Sequence, residues 1–371
     1  MLLHENKVLH RDCKIKDMTG KPMRAMDVFA LCIKYLKDTM IEAMKQKITF
    51  DIEDTNIDFV ITVPAIWGDA AKLFMREAAI NAGIKSDQLT LALEPEAASI
   101  YCQYLYMERK DEGNTDEFQK LVEGKAKYMV ADLGGGTVDI TVHKKADDGT
   151  LEELIPASGG PSGGTSVDKE YEKFLEKIGG EECTVIQKAL REKFKSHRFI
   201  IPMEPGLAVL KGAVYFGHLP NAISRRVARF TYGVQICPKF KPGEHPENKK
   251  ITVGDVARCK DVLHPFVKRG EQIKPGFEIS TVCHSLKPQQ GKIECGIYIS
   301  DGENPKFVDE KGCRLLGKLT VTIPQGVYNA EIEEVIVFGE TEITFRARQL
   351  ESGKLFEAVF DMLDERFLPN P

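Results

Sequence analysis

Residues 128–142 read Y-M-V-A-D-L-G-G-G-T-V-D-I-T-V, two short strand signals joined by a glycine turn. Residues 128–131 form a brief apolar run. From Thr137 the pattern alternates, with Val138, Ile140 and Val142 on one face and Thr137, Asp139 and Thr141 on the other. A period of two is that of a half-buried strand. Gly134, Gly135 and Gly136 lack Cβ atoms, so backbone N–H groups there can converge on a ligand oxygen and form an anion site of the kind phosphates occupy. Asp132 supplies the opposite chemistry. A carboxylate beside a phosphate cradle suits a hydrated Mg²⁺, which keeps most of its waters and bridges to phosphate oxygens. Thr137 adds a hydroxyl. A hairpin turn would explain the glycines alone equally well; Asp132 before them and the Thr137-x-Asp139 pattern after them favour a ligand.

Upstream, residues 58–63 read as a buried strand stopped by Pro64, which cannot donate to a ladder. Asp69 is the expected N-cap of a helix running to about Ala82, with Gly83 as its C′ residue. Residues 89–93 resume as a strand and lead into Glu94-Pro95-Glu96-Ala97-Ala98, where Pro95 fits the first turn of a helix. Glu94, at a strand end facing a helix N-terminus, is either a cap or a group that orients water. Further back, residues 4–21 are charged and unpatterned. A helix is expected from about Ala25, with Phe29, Ile33, Leu36, Met40 and Met44 on its core face.

Downstream, Gly159-Gly160-Pro161-Ser162-Gly163-Gly164 precedes an expected helix capped by Thr165 or Ser166, with Val167, Tyr171, Phe174, Leu175 and Ile178 on one face. Glycines before a helix bind an anion or simply form a flexible loop. Gly179-Gly180 then separates it from a helical stretch at 185–195. A short strand at 199–202 and a helix at 207–216 follow. Past Ala222 the texture changes to β-type runs at 229–237, 276–283, 293–300, 315–323, 334–338, 341–347 and 355–360, with 239–250 read as a loop or edge excursion. Seven short strands without intervening helices point to a sandwich.

The bulk composition is that of an ordinary soluble protein long enough for two or three domains. A net charge of -5 and a pI near 6.0 give no global attraction to nucleic acid or acidic membrane. Arg225-Arg226 and Lys249-Lys250 read as solvated surface. Nine cysteines, odd in number and never spaced C-x-x-C, argue for reduced thiols and against a zinc site. The start carries no apolar leader and no run is long enough to span a bilayer, which places the chain in the cytosol or nucleus.

With these pieces in place, the chain resembles the 70-kilodalton heat-shock protein family, most closely its divergent subfamily twelve. The resemblance rests on V-P-A-I-W at 63–67, E-P-E-A-A at 94–98, D-L-G-G-G-T-V-D at 132–139, G-G-P-S-G-G-T-S-V-D at 159–168 and L-K-G-A-V-Y-F-G at 210–217. It implies an α/β actin-like ATPase domain of two ribonuclease-H-like lobes, incomplete here, at 1–222, with nucleotide in the cleft. An all-β sandwich of the family's substrate-binding kind is implied at 224–371. By the resemblance Asp132 holds Mg²⁺ through water, Gly134, Gly135 and Gly136 form the second phosphate loop, and Thr137 offers its hydroxyl to the γ-phosphate. Glu94 orients the water shell, and Gly179 and Gly180 match the adenosine-side glycine pair.

The implied cofactors are ATP or ADP with Mg²⁺, and the implied partners are unfolded or client proteins at the sandwich. There are departures. The family's first phosphate hairpin and the lysine after it are expected upstream of Met1. A lobe that helps hold adenine is missing between Ile178 and Thr184. Gly206 stands where the family more often has an acidic residue, and no helical lid follows the sandwich, as in subfamily twelve. The expectation is an ATP-binding, chaperone-type protein in which hydrolysis is weak or absent because the catalytic set is incomplete. The alternatives are a non-enzymatic interaction scaffold or a partial gene model. A sugar kinase uses similar D-x-G-G-G-T turns, but the β-rich C-terminal third argues against it.

Overall fold

The computed structural model describes residues 3, 9–47, 56–109, 125–161, 163, 191–196, 199, 202, 204–219, 221–284, 292–322, 331–339, 341–350, 355–356 and 358–363. The readings at 164–190, including Gly179, Gly180 and the helix carrying Val167, lie outside the described residues.

The first part is α/β. A hairpin of β1 (Lys14–Lys16) and β2 (Pro22–Arg24) occupies the stretch that shows no pattern in sequence. It feeds α1 (Ala25–Lys47), followed by β3 (Phe59–Val63), α2 (Asp69–Asn81), β4 (Leu89–Leu93) and α3 (Glu94–Arg109). Strands β3 and β4 pair in parallel, residue 59 opposite 89, and so need the crossover helix α2 between them. On α1 the expected core face holds only in part. Phe29 and Ile33 pack on the core, Phe29 edge-on to Phe74 at 5.8 Å, whereas Leu36 and Met40 are exposed. The covered face runs on through Ile33 to Ile41, which is buried, so Leu36 and Met40 lie beside that face rather than on it. Gly68, not Asp69, is the residue before α2, and it offers no side-chain cap. Asp69 sits in the first turn, where a carboxylate suits the helix dipole, and accepts from the Tyr232 hydroxyl at 3.3 Å. Gly83, at φ +85°, closes the helix as expected.

A second sheet carries the glycine turn. Strands β5 (Lys127–Leu133), β6 (Val138–Lys145) and β7 (Leu151–Gly160) form an antiparallel meander. Helix α4 (Pro205–His218) packs against α3, and Gly212 lets the backbones meet, because a Cβ there would lie 1.7 Å from the Ala97 carbonyl oxygen. Strand β8 (Ile223–Val227) then joins the meander in parallel beside β7, and β13 (Gln272–Ile273), from far along the chain, adds to β8.

The β-rich part has two sheets. One runs in the order β12 (Val262–Val267), β9 (Thr231–Ile236), β15 (Lys292–Ser300), β16 (Cys313–Thr322), β20 (Ala358–Asp361). The other is β14 (Phe277–His284), β17 (Glu331–Phe338), β18 (Ile343–Gln349), β19 (Leu355–Phe356). Val234, Ile293, Ile297, Leu319 and Val321 from the first meet Ile332, Ile336, Phe338 and Ala347 from the second in one apolar core. The segment read as a loop at 239–250 leads into a small hairpin of β10 (Lys250–Val253) and β11 (Val256–Cys259).

Neither basic doublet is plain surface. Lys249 is buried against Asp309 (2.6 Å) and Asp261 (3.4 Å), its ammonium over the Phe307 ring, and Arg226 is buried in an ion pair described below. In each doublet a carboxylate distant in sequence, invisible to a local reading, decides the burial. The described cysteines, among them Cys13, Cys102, Cys259 and Cys295, are free. Among the described residues no helix is long and apolar enough to cross a membrane.

Candidate functional site

The turn between β5 and β6 is closed by the Gly134 amide donating to the Thr137 carbonyl at 3.0 Å. Gly163 lies against it, its amide 3.4 Å from the Gly136 carbonyl oxygen. A Cβ on Gly163 would fall 2.6 Å from the Gly134 oxygen and 2.7 Å from the Thr137 nitrogen, so only glycine lets the second glycine run approach the first. The two glycine clusters singled out in the sequence therefore meet.

Asp132 and Asp139 are register partners on β5 and β6. In an antiparallel pair such residues stand on the same face with Cβ atoms about 4.5–5.5 Å apart, and like charges there repel. Glu94, the first residue of α3, faces the same place. Burial, then the Asp132 charge, then Asp139 push its carboxyl up to about 7. Burial and then Asp139 likewise raise Asp132 above the usual carboxylate range. Of the two readings left open for Glu94, the cap finds no support: among the described residues no amide of the first turn of α3 is hydrogen-bonded to its carboxylate. Asp139 is buried, and its Oδ1 accepts the Ile66 amide at 3.0 Å. This bond ties the loop after β3 to the site.

Three carboxylates whose charges oppose one another call for a cation. Among the described residues no group of three His, Cys, Asp or Glu side chains is gathered as a direct ligand shell. The donor set thus suits a cation that keeps its waters, as Mg²⁺ does, with the glycine amides alongside for an anion. The residues fit a hydrated metal with a phosphate.

The family described as "Hsp70 protein" matches residues 6–189. Heat shock 70 kDa protein 12A of Mus musculus is 26% identical over 535 aligned positions, covering 98% of this chain and 79% of the relative. Heat shock 70 kDa protein 12B of Homo sapiens is 24% identical over 542 positions, with the same shares covered. A 70-kDa heat-shock protein domain thus spans residues 6–189, and along nearly its whole length the chain is similar to the divergent 12A/12B branch of that family. A third relative, Chaperone protein DnaK of Mycoplasmopsis synoviae (strain 53), is 30% identical over 159 residues, 43% of this chain and 22% of that protein. The Hsp70 domain implies the actin-like ATPase fold, and the mixed α/β elements are in keeping with it.

Of the heat-shock-type site residues read from sequence, Glu94, Asp132, Gly134, Gly135, Gly136 and Thr137 lie together at the β5–β6 turn and the start of α3. Gly179 and Gly180 lie outside the described residues. Asp139, which the motif includes without assigning it to the metal, faces Asp132. A hairpin centred on the glycine run, with residue 133 opposite 138, puts it across from Asp132. A buried group next to the site was missed altogether. Glu96 takes a two-pronged bond from Arg226, Nε to Oε1 at 2.9 Å and Nη2 to Oε2 at 2.6 Å. Glu153 accepts the Val227 amide at 2.8 Å, and burial pushes its carboxyl up to about 7.

Proposed function

We propose that this chain binds Mg²⁺-nucleotide at the β5–β6 turn and couples that binding to holding other proteins on its β-rich part, as an ATP-linked chaperone-type protein. The observation that carries the reading is the convergence of Glu94, Asp132 and Asp139 beside the turn Gly134–Gly136, backed by Gly163. In it the Gly135 and Gly136 amides face the phosphates, the Gly134 amide holds the turn closed, and the Thr137 hydroxyl adds a donor. Asp132 and Asp139 orient the waters of the metal. Glu94, its proton leaving near pH 7, accepts or returns a proton on a water of that shell. The bound metal supplies charge neutralisation for a phosphoryl group. We further propose a nucleotide domain at about 1–222 and a separately cored substrate-binding sandwich from about 224, with β8 belonging by pairing to the sheet of the former.

The test is a titration of the full chain with ATP, with and without Mg²⁺. Asp132→Asn removes a metal-orienting charge and leaves the glycine donors, so Mg²⁺-dependent affinity should fall more than metal-free affinity. Equal affinities in the variant and the wild type, with and without Mg²⁺, would remove this assignment.

A second reading is a nucleotide-responsive interaction scaffold without turnover. The alignment favours it: 535 aligned positions against a chain of 371 residues mean that the relative carries internal segments with no counterpart here. Single-turnover hydrolysis with the protein in excess separates the two, a rate abolished by Glu94→Ala supporting the enzyme.

A further inference from the structure

One residue ties the carboxylate site to the β-rich part through both of its backbone groups. The Ile66 amide donates to Asp139 Oδ1 at 3.0 Å, and the Ile66 carbonyl accepts from Arg229 Nη1, also at 3.0 Å. The same guanidinium nitrogen reaches the Ala65 carbonyl at 3.4 Å. A second tie runs through α3. Glu94 and Glu96 share its first turn, and Glu96, 1% exposed, is forked by Arg226. Between the two arginines, Val227 is held by Glu153. Residues 226–229 lead from β8 into β9, the entry to the β-rich part.

Each of these contacts fixes geometry rather than merely attracting. A guanidinium fork on a carboxylate sets direction as well as distance, and burial keeps it from trading places with water. An arginine donating to two successive carbonyls pins the peptide plane whose N–H side meets Asp139. Two of the three site carboxylates are therefore each one group removed from the same four-residue segment.

We propose that Arg229 and Arg226 are positioning residues for the carboxylate site. They hold Asp139, by way of Ile66, and Glu94, by way of the first turn of α3, in the arrangement that takes a hydrated divalent cation. Cation binding and the seating of the β-rich part then strengthen each other, since coupling between two sites is reciprocal. The proposal rests on the reading of Glu94, Asp132 and Asp139 as a cation site. It goes beyond that reading in naming what keeps the site in shape.

The chain carries its own reporter. Trp67, its single tryptophan, follows Ile66 and lines a cleft of about 120 Å³ between the two parts, with Asp69, Phe230, Tyr232 and Phe338.

The experiment uses the full chain, ADP with and without Mg²⁺ as probe, calorimetry for affinity and Trp67 emission for the loop. In the wild type, Mg²⁺-ADP should change the emission. Arg229→Met removes both carbonyl contacts without leaving a buried carboxylate alone. It should keep the wild-type unfolding curve, weaken Mg²⁺-dependent ADP affinity about tenfold, as loss of a group orienting metal-site carboxylates does, and lose most of the emission change. Metal-free ADP affinity should stay put, and Arg229→Lys should recover part of the loss. Arg226→Gln should act in the same direction; if it does not fold, because Glu96 is left buried and unpaired, Arg229→Met still decides. Asp132→Asn is run alongside. Should it weaken Mg²⁺-ADP while Arg229→Met binds and responds like the wild type, the positioning role is overturned and the site stands. Should Asp132→Asn itself change nothing, the site reading and the proposal fall together.

Discussion

Strands β6 and β15 are both central in antiparallel neighbourhoods, and they bury opposite chemistry. The inward face of β15 is Ile293, Cys295, Ile297 and Ile299; that of β6 is Asp139, Thr141, His143 and Lys145. The alternation Val138, Ile140, Val142 is present as the sequence shows it, but it is the half-exposed side of β6. The polar side lies under α3, whose Glu96, Ser99 and Gln103 meet it. Lys145 Nζ donates to Gln103 Oε1 at 2.8 Å, Gln103 Nε2 donates to the Tyr128 hydroxyl at 3.1 Å, and that hydroxyl is hydrogen-bonded to the Ser99 hydroxyl at 2.9 Å. Burying hydrocarbon is worth about 25 cal/mol per Å², whereas a buried hydrogen bond nets only about 1 kcal/mol. The difference assigns the two strands different work: β15 holds the protein together, and β6 carries charge from the site into the body of the α/β part at a cost in stability.

If so, the largest effect belongs to the β15 side. Leu319, fully buried on β16 next to β15, sits in the middle of the shared core. Leu319→Ala should cost about 3 kcal/mol in transfer and cavity terms, read by urea unfolding. A loss below about 1 kcal/mol would mean that the core of the β-rich part is loose and that the contrast with β6 is overstated.

The next effect tests how tightly the polar seam is roofed. Gly212→Ala puts a methyl 1.7 Å from the Ala97 carbonyl oxygen, so α4 must move off α3. Overpacking of this kind costs about 2 kcal/mol. Gly206→Ala, in the same helix with open space around it, is the control and should be near neutral.

How much of this could be read in the sequence follows from the same contrast. Six of the seven strands expected past Ala222 appear as single strands with mostly apolar inward residues, whereas the run at 355–360 divides into β19 and β20, which belong to different sheets. Strand β7 was not foreseen: Glu153 occupies an inward position, Pro156 interrupts the run, and two register shifts break the period. Strand β8 was hidden because Arg225-Arg226 looks like solvent-facing charge, and the carboxylate that buries Arg226 is 130 positions away. In the site, the glycine turn, Asp132 and Glu94 were legible as local motifs. The meeting of Gly163 with the first turn, and the Ile66 bond to Asp139 across 73 positions, are tertiary facts with no local signature.

A third prediction concerns the carboxylate charge itself. Glu94 holds its proton up to about pH 7 in the folded chain, well above the usual value near 4.5. The folded state therefore binds more protons than the unfolded one between these values. The stability this contributes is complete below about pH 4.5 and is lost as pH rises through about 7. Glu94→Gln should thus stabilise the metal-free protein at pH 8 by on the order of 1–2 kcal/mol and be close to neutral at pH 5. Conversely, wild-type affinity for Mg²⁺ should rise from pH 6 to pH 8, with proton release on binding detectable in buffers of different ionisation enthalpy. An unfolding difference that does not change with pH would show that Glu94 is ionised throughout.

The smallest expected effect is the sharpest test of the comparison. His143 is fully buried, its ring edge-on to Tyr128 at 5.9 Å, and neither ring nitrogen has a hydrogen-bond partner among the described residues. Burial lowers its pKa first; Glu96 pulls it up and Arg226 pushes it down, and the net direction is down. The folded chain therefore keeps His143 neutral where the unfolded chain, with an ordinary value near 6.5, begins to take a proton. Stability from the neutral ring is complete above about pH 6.5 and falls away as pH drops below it. His143→Leu removes two desolvated polar atoms, keeps most of the volume and cannot titrate. At pH 7.5 it should be neutral or stabilising by up to about 1 kcal/mol, and its advantage over the wild type should grow at pH 5.5. The same exchange of polar for apolar has little counterpart on β15, whose inward face is aliphatic apart from the Cys295 thiol. Urea unfolding at the two pH values reads the result. A loss of about 2 kcal/mol or more at pH 7.5 would mean that the seam under α3 is as tightly built as the core around Leu319, and that the polar face of β6 contributes to stability after all.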